Sequence, residues 1–238
     1  MTINPSSPIP RHVAIICDGN RRWAKAHAMV AAAGHQQAAK TVFEPLVDKA
    51  VELGISHLTF WVFSTENWHR SPAEVEALLE LLRQQLDHYA KVLNKREVRI
   101  QTIGDLSKFS SDIREKIHSA VEQTKHHTGM TVVFALNYGG RDELTRAVRS
   151  IAEQVQSGKL TADAITPDSI SLLLDTAQMP DPELVIRTGG EQRASGFMPW
   201  QSVYAEYVFT PVFFPDLTPA VFSEIIQSFG ERHRRFGR

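Results

Sequence analysis

A single α/β domain with a central, mostly parallel six-stranded sheet flanked by helices is what this sequence predicts. Three observations lead there. Six short runs rich in β-branched and aromatic residues alternate with stretches whose apolar residues recur at a helical period. Their order and spacing suit right-handed crossovers between parallel strands. No linker, repeat or low-complexity tract interrupts the 238 residues. One domain is therefore expected over 11–238, after a disordered lead-in over 1–10.

The first strand is read at His12 to Cys17, and the next six residues, Asp18-Gly19-Asn20-Arg21-Arg22-Trp23, are read as a loop. Gly34 to Leu53 predicts one helix, with Ala38, Val42, Leu46, Val47 and Ala50 on its apolar face and Gly54 closing it. His57 to Phe63 is the second strand and ends in the polar cluster Ser64 to Arg70. Ser71, Pro72 and Glu74 are placed as N-cap, N1 and N3 of a helix of about twenty residues. Its face of Val75, Leu78, Leu79, Leu82, Leu86 and Leu93 reads first as core packing, with ligand lining as the other reading. Val98 to Ile103 and Thr131 to Leu136 are strands three and four, each followed by a helix, at Ser110 to Lys125 and Asp142 to Gln156. A short helix at Pro167 to Leu174, a strand at Glu183 to Ile186, a sixth strand at Tyr207 to Thr210 and a helix at Pro219 to Phe236 complete the order.

Bulk properties narrow the function. Apolar content of 42% and charged content of 22% are those of an ordinary globular protein. A formal net charge of −1 argues against a nucleic-acid partner. The single cysteine, Cys17, excludes an intrachain disulfide. The opening MTINPSSPIP lacks the basic start and apolar stretch of a signal peptide. No window approaches the roughly 20 apolar residues of a membrane span, so any membrane contact is expected to be peripheral.

In a parallel sheet the ligand site lies beyond the carboxyl ends of the strands. Asp18, Ser64, Glu66, Asn67, Asn137, Arg187 and Arg193 all follow predicted strands and so share that rim. The rim sets Arg21, Arg22, Arg70, Arg187 and Arg193 beside Asp18, Glu66, Glu191 and Glu206. Arginine forks match phosphate oxygens, glycine lets backbone N–H groups approach them, and a carboxylate can hold a hard cation. Taken alone, Asp-Gly-Asn after a strand is more often a plain turn. GxxxxGK[ST] and GxGxxG are absent, so neither an NTPase nor a dinucleotide enzyme is supported. HExxH and CxxC are absent too, which leaves no zinc site. His35, at a helix start, suits either a nearby anion or a buried hydrogen bond, and Cys17 reads as a reduced strand residue.

HVAIICDGNRRWAK, AAGH, FSTENWHR, VRIQTIGD, NYGGRDEL, LVIRTGGEQRASGF and WQSVYAEYVFTPVFFPD, in that order, resemble the cis-prenyltransferase family across Arg11 to Gly237. The resemblance implies extension of an allylic diphosphate by isopentenyl diphosphate with cis double bonds, using Mg2+. Asp18 matches the essential aspartate at the metal, with Glu206 a carboxylate linked to that metal site. Gly19, Asn20, Arg21 and Arg22 by their backbone, and Arg22 and Arg70 by their side chains, match the allylic diphosphate site. Trp23, His35 and Trp68 are counted with the substrate-binding set. Arg187, Arg193 and Ser195 resemble the isopentenyl diphosphate clamp. Ser64, Glu66 and Asn67 resemble residues near the condensing carbons. Arg235 and Gly237 match a C-terminal RxG that reaches a partner subunit. A homodimer is implied, as is a cytoplasmic enzyme handing its product to a membrane face. An apolar tunnel between the sheet and the helices after Gly34 and Ser71, lined by residues such as Val62 and Phe134, is also implied.

The chain departs from the family pattern in three places. Ala31 stands where an arginine is usual, and Arg21 where glycine is common, so one diphosphate contact is either missing or supplied by Arg21. Gly196 and Met198-Pro199 replace Asn and Leu-Leu, and Val62 replaces an alanine of long-chain enzymes, so the product expected is undecaprenyl or a shorter chain. A non-catalytic partner subunit is the alternative from the binding class. A phosphoryl-transfer enzyme with Asp18 as nucleophile is a third reading, weakened by the missing DxD.

Overall fold

Strand β1 (His12–Ile16) lies inside a sheet ordered β3-β4-β2-β1-β5-β6, whose other members are β2 (His57–Ser64), β3 (Arg99–Ile103), β4 (Thr131–Tyr138), β5 (Leu184–Arg187) and β6 (Glu206–Phe209). The computed structural model describes residues 8–231; most of the expected lead-in, and the matched Arg235 and Gly237, lie outside the described residues. Every neighbouring pair is parallel, so the sheet is wholly rather than mostly so. The sequence pattern explains which strands are central. β1 and β4 are buried along their whole length, as continuous apolar runs must be when both sheet faces are covered. β6, at one edge, is only partly buried.

Eight α-helices are described: α1 (Asn20–Ala26), α2 (Ala31–Thr41), α3 (Phe43–Glu52), α4 (Pro72–Lys95), α5 (Ser111–Thr124), α6 (Gly140–Gln156), α7 (Pro167–Ser171) and α8 (Pro219–Gly230). One sheet face packs on α2, α3, α4, α5 and α8 through the larger core, which includes Ile15, Phe60, Phe134, Leu46 and Phe222. The other face packs on Phe197 and Met198, both fully buried.

Two expectations are corrected. The stretch after Asp18 is not a loop, because Asn20–Ala26 is helical from the residue after Gly19. Gly19 holds φ at 103°, a left-handed value that favours glycine, so the chain turns from strand to helix within a single residue. The helix expected over Gly34 to Leu53 is two helices parted at Val42. Pro45 is the cause: it has no N–H to offer the Thr41 carbonyl, so the first helix cannot run on through it.

α4 begins as its cap residues require, with Ser71 accepting from the Glu74 N–H at 3.4 Å and Pro72 in the first turn. Its 24 residues span about 36 Å at 1.5 Å per residue, the longest wall of the molecule. The β2–β4 register shifts around Phe63, an irregularity that re-aims side chains where β2 meets the rim.

Close approach of α2 to α1 depends on Gly34. A Cβ there would stand 1.9 Å from the Asn20 carbonyl oxygen. Gly34→Ala is expected to push the two helices apart and to cost about 1–3 kcal/mol, read as a fall in melting temperature of several degrees; an unchanged melt would contradict the contact.

Candidate active site

β1 and β5 end side by side, with Ile16 in register with Arg187. This alone brings Asp18 to the Arg187 side chain. One carboxylate oxygen, Oδ2, accepts from Arg187 Nη2 at 2.8 Å. The other, Oδ1, accepts from the Gly19 N–H at 2.6 Å and lies 3.2 Å from Arg22 Nη2. Thr188, fully buried, accepts from the Asp18 N–H at 2.9 Å and donates to the Asp18 carbonyl at 2.7 Å, fixing the backbone of the turn. Burial pushes the Asp18 carboxyl up, but the Arg187 hydrogen bond, the Gly19 N–H and the two guanidinium charges outweigh it and hold the group below its ordinary value. Asp18 is therefore an anion at neutral pH.

Arg187 is almost fully buried. Its Nη1 donates to Ser195 Oγ at 2.8 Å and to the Arg193 carbonyl. Ser195 holds a positive φ of 52°, which sets its hydroxyl under the guanidinium. Glu191 accepts from Arg22 Nη1 at 3.3 Å and from Arg193, tying the two exposed arginines to one side of the rim. Arg22 also stands 5.6 Å from the centre of the Phe213 ring.

Across the rim, Arg70 Nη1 donates to Glu74 Oε1 at 2.7 Å, and Arg21 Nε lies 3.7 Å from the same oxygen. The sequence marks Glu74 only as a helix-start residue, yet it joins both arginines. Its spacing four residues after Arg70 is the signal that could have revealed it. His35, on the inner face of α2, is partly buried, and its Nε2 is enclosed without a hydrogen-bond partner. Asn20 Oδ1 is enclosed in the same way, while its amide donates to the Cys17 carbonyl at 2.8 Å. At the end of β2, the Ser64 N–H donates to Asn67 Oδ1 at 3.0 Å in a capping box, which orders the Ser64 to Asn67 turn.

Below this polar rim opens a cavity of about 450 Å³. Asp18, His35, Ser64, Glu66, Asn67, Arg70, Arg187 and Ser195 stand on its lining; beneath them the wall is apolar and aromatic, with Val62, Phe134, Leu78, Leu82 and Leu86 among its residues. The leucine face of α4 thus borders the cavity and also reaches the core, so both of its readings hold. Cys17 lines the cavity as well, and burial pushes its thiol well up, which keeps it protonated.

Gly19, Arg21, Arg22, Trp23, Trp68, Arg193 and Glu206 do not line the cavity; of these, Gly19, Arg22 and Arg193 stand on the rim around Asp18 and Glu191. Trp23 is buried, and its indole N–H donates to Asp216 at 2.7 Å; the Trp68 N–H donates to Asn137 at 2.8 Å within a ring cluster with Phe63 and Phe109. Neither lines the cavity, and both are held as packing residues. Glu206 is in register with Leu184, three residues before Arg187. That places it toward the amino ends of the strands, about 10 Å of strand rise from the Asp18 rim, so one chain does not bring the two carboxylates together. Arg21 remains largely exposed, on the rim outside the cavity.

Among the described residues no three His, Cys, Asp or Glu side chains cluster into a protein-only metal cage. A lone hard carboxylate beside several arginines instead fits Mg2+, which commonly takes one or two carboxylates and completes its shell from substrate phosphates and water. No helix of the described residues is long and apolar enough to cross a membrane.

A cationic rim gathered on one carboxylate, above an apolar cavity in a parallel α/β sheet, suits a ligand with an anionic head and an apolar body. The chain belongs to the undecaprenyl diphosphate synthase family of prenyltransferases, whose match covers residues 16–237, and it is a cis-prenyl diphosphate synthase. An isoprenyl transferase from Agrobacterium fabrum is 45% identical over 100% of this chain and 96% of its own. The ditrans,polycis-undecaprenyl-diphosphate synthase ((2E,6E)-farnesyl-diphosphate specific) of Micrococcus luteus is 43% identical over 98% of this chain and 93% of its own. Among solved structures, lavandulyl diphosphate synthase from Lavandula x intermedia, in complex with dimethylallyl diphosphate, superposes with a TM-score of 0.94 at 35% identity, covering 97% of this chain and 99% of that one. A probable undecaprenyl diphosphate synthase from Campylobacter jejuni gives a TM-score of 0.80 at 36% identity, covering 97% and 100%.

Burial, followed by the charges of Arg70 and Arg21, lowers His35 to about 4. Burial likewise lowers His12, at the amino end of β1, to about 4. Each therefore binds its proton only in the unfolded chain between the ordinary value of 6.5 and about 4. Stability is full above that window and falls as pH drops through it, by up to about 1.4 kcal/mol per pH unit for each histidine. Denaturant unfolding at a series of pH values checks this, with His35→Gln expected to reduce the slope; stability that is flat across the window would contradict it.

Proposed function

We propose that the protein condenses isopentenyl diphosphate with an allylic diphosphate, head to tail, to give a Z-polyprenyl diphosphate. The observation that carries this reading is the Asp18 carboxylate shared by Arg187 and Arg22 at the top of the apolar cavity. In this reading Arg22, Arg70 and the backbone from Gly19 to Arg22 bind the allylic diphosphate, and Arg187, Arg193 and Ser195 bind the diphosphate of isopentenyl diphosphate. Arg21, next to Arg70 on Glu74, supplies the cation that Ala31 does not. A diphosphate competes with Asp18 for the rim arginines and leaves the carboxylate to a metal.

The chemistry asks for little beyond this. The allylic carbon–oxygen bond breaks, the isopentenyl double bond attacks the carbon left electron-poor, a proton leaves the adjacent carbon and diphosphate departs. Arginines fixed before substrate arrives receive the negative charge as it develops on the leaving group. Held by Asp18 together with phosphate oxygens, Mg2+ would add Lewis-acid neutralisation of that same charge. Ser64, Glu66 and Asn67 stand at the cavity mouth, where the reacting carbons would meet and the proton would leave. The apolar walls keep water from the electron-poor carbon and align the two chains. Val62, bulkier than alanine, narrows the cavity and favours a product shorter than undecaprenyl. A homodimer and peripheral membrane contact, in the cytoplasm, belong to the same proposal. A non-catalytic subunit is disfavoured because Asp18 and the Arg187 clamp are both in place.

Labelled isopentenyl diphosphate with dimethylallyl, geranyl or farnesyl diphosphate and Mg2+ tests the reading. Butanol-extractable label is expected, and its absence with every primer would overturn the proposal. Asp18→Ala, and the isosteric Asp18→Asn, are expected to lower turnover about a hundredfold or more while the fold persists, since Arg187 keeps Ser195 and the Arg193 carbonyl as partners. Unchanged turnover would remove Asp18 from its role.

A further inference from the structure

We propose that the turn over residues 27–30, between α1 and α2, seats the mouth of the cavity on an anionic lipid surface, with Met29 and Val30 entering the bilayer boundary and Lys25 against the headgroups. The use of such docking, to deliver a product with an apolar tail, rests on the reaction proposed above; the docking itself does not. Met29 and Val30 are 54% and 76% exposed, two large apolar side chains standing side by side in water. The run from Lys25 to Val30 is exposed throughout, directly after the buried Trp23 and Ala24.

The turn is ordered and holds both side chains outward. Ala28 keeps φ at 54°, a left-handed value that is uncommon outside glycine, and the Met29 N–H donates to the Ala24 carbonyl at 2.8 Å. Ahead of the turn, Trp23 is pinned by Asp216 and stacks on the His27 ring at 4.1 Å between centroids, while His27 Nδ1 donates to the Trp23 carbonyl at 2.8 Å. Behind it, the Ala33 N–H donates to the Val30 carbonyl at 2.9 Å. A tip fixed in this way loses little further freedom when it meets a surface.

The course of α2 sets where the tip stands. Ala38 and Ala39 line the apolar wall, His35 lines the cavity at its polar rim, and Val30 is the N-cap. From His35 back to Val30 is about 7.5 Å at 1.5 Å per residue, leading away from the apolar wall. The tip therefore projects beyond the rim, beside the mouth. Charge selects the kind of surface. From Gly19 to Phe43 the chain holds no Asp or Glu, and it carries Arg21, Arg22, Lys25 and Lys40. The carboxylates that meet the α1 arginines, Asp18, Glu74 and Glu191, are each shared with a second arginine: Arg187, Arg70 and Arg193 respectively. Lys25, in the last turn of α1, is exposed and makes no ion pair among the described residues. Its stem can lie along apolar surface while its amine stays among anionic headgroups. Two side chains are too small a patch for a stable protein interface, which takes about 800 Å² from each partner. A bilayer accepts a small apolar tip when cations flank it.

Flotation of the full chain with vesicles tests the docking, one set made of phosphatidylcholine alone and one with phosphatidylglycerol mixed in, without substrate. Recovery with the mixed vesicles is expected, and little with the neutral ones. Met29→Ser and Val30→Ser together are expected to lower the partition coefficient about tenfold, and Lys25→Glu to lower it about tenfold. These side chains are exposed and outside the cavity, so melting temperature and turnover on a dimethylallyl primer should stay at parental values. Undiminished partition of the double variant, or a parent that binds both vesicle sets equally or neither, would overturn the proposal. Loss of a dimer in the double variant, read by sedimentation velocity, would assign the tip to a second copy and overturn it as well. A parent that binds the mixed vesicles yet makes no product would overturn the reading of the reaction and leave the docking in place.

Discussion

A carboxylate and a guanidinium held together where β1 and β5 end set the terms for everything around them. Arg187 is nearly buried, and such a cation is costly unless it is paired. Asp18 supplies the charge and accepts from Nη2, Ser195 and the Arg193 carbonyl accept from Nη1, and Nε is enclosed without a partner. Thr188 locks the backbone beside them. The pairing requires β1 and β5 to be parallel neighbours in this register, so sheet order and site chemistry are one constraint. The cost of bringing opposite charges to the rim is met by each other until a more highly charged anion arrives to compete.

Around that pair the molecule divides by polarity. Strand ends, short turns and the first turns of α1 and α4 supply the arginines, the Ser64 to Asn67 cap and Glu74; helices α2 and α4 with the inward side chains of β2, β3 and β4 supply the apolar space below. The division suits a substrate that is itself divided, with a diphosphate head and a hydrocarbon tail. Two local devices shape the boundary. The irregularity in β2 lets Val62, Phe63 and Ser64 all reach the lining, and the Gly34 contact draws α2 against α1 so that His35 and Asn20 meet the same space.

Much of this is legible in the sequence because it is local. Strand runs, the Ser71-Pro72-Glu74 helix start and the polar clusters after strands depend on neighbouring residues, and parallel topology then carries Asp18, Arg70 and Arg187 to one rim. What the sequence hides depends on contacts or on a single backbone angle. Gly19 at a left-handed φ converts an apparent loop into α1, and Pro45 divides a stretch whose apolar period continues across it without a gap. Trp23 and Trp68 resemble ligand residues by motif, yet their indole N–H groups are spent on Asp216 and Asn137, partners 193 and 69 residues away. Glu206 follows the motif order but falls at the opposite end of its strand, since only the register shows which end of a strand a residue occupies. The double role of Glu74 emerges only when α1 and α4 are seen to converge.

A crystal structure of the protein with Mg2+, isopentenyl diphosphate and a non-cleavable thiolo analogue of the allylic substrate is the most direct measurement of the central claim. The expected result is two diphosphates on the carboxyl rim, one on Arg22 and Arg70 and one on Arg187 and Arg193, with the cation on the Asp18 carboxylate and the allylic tail directed down between α2 and α4. Diphosphates bound away from that rim, or an allylic tail lying outside the cavity, would contradict it.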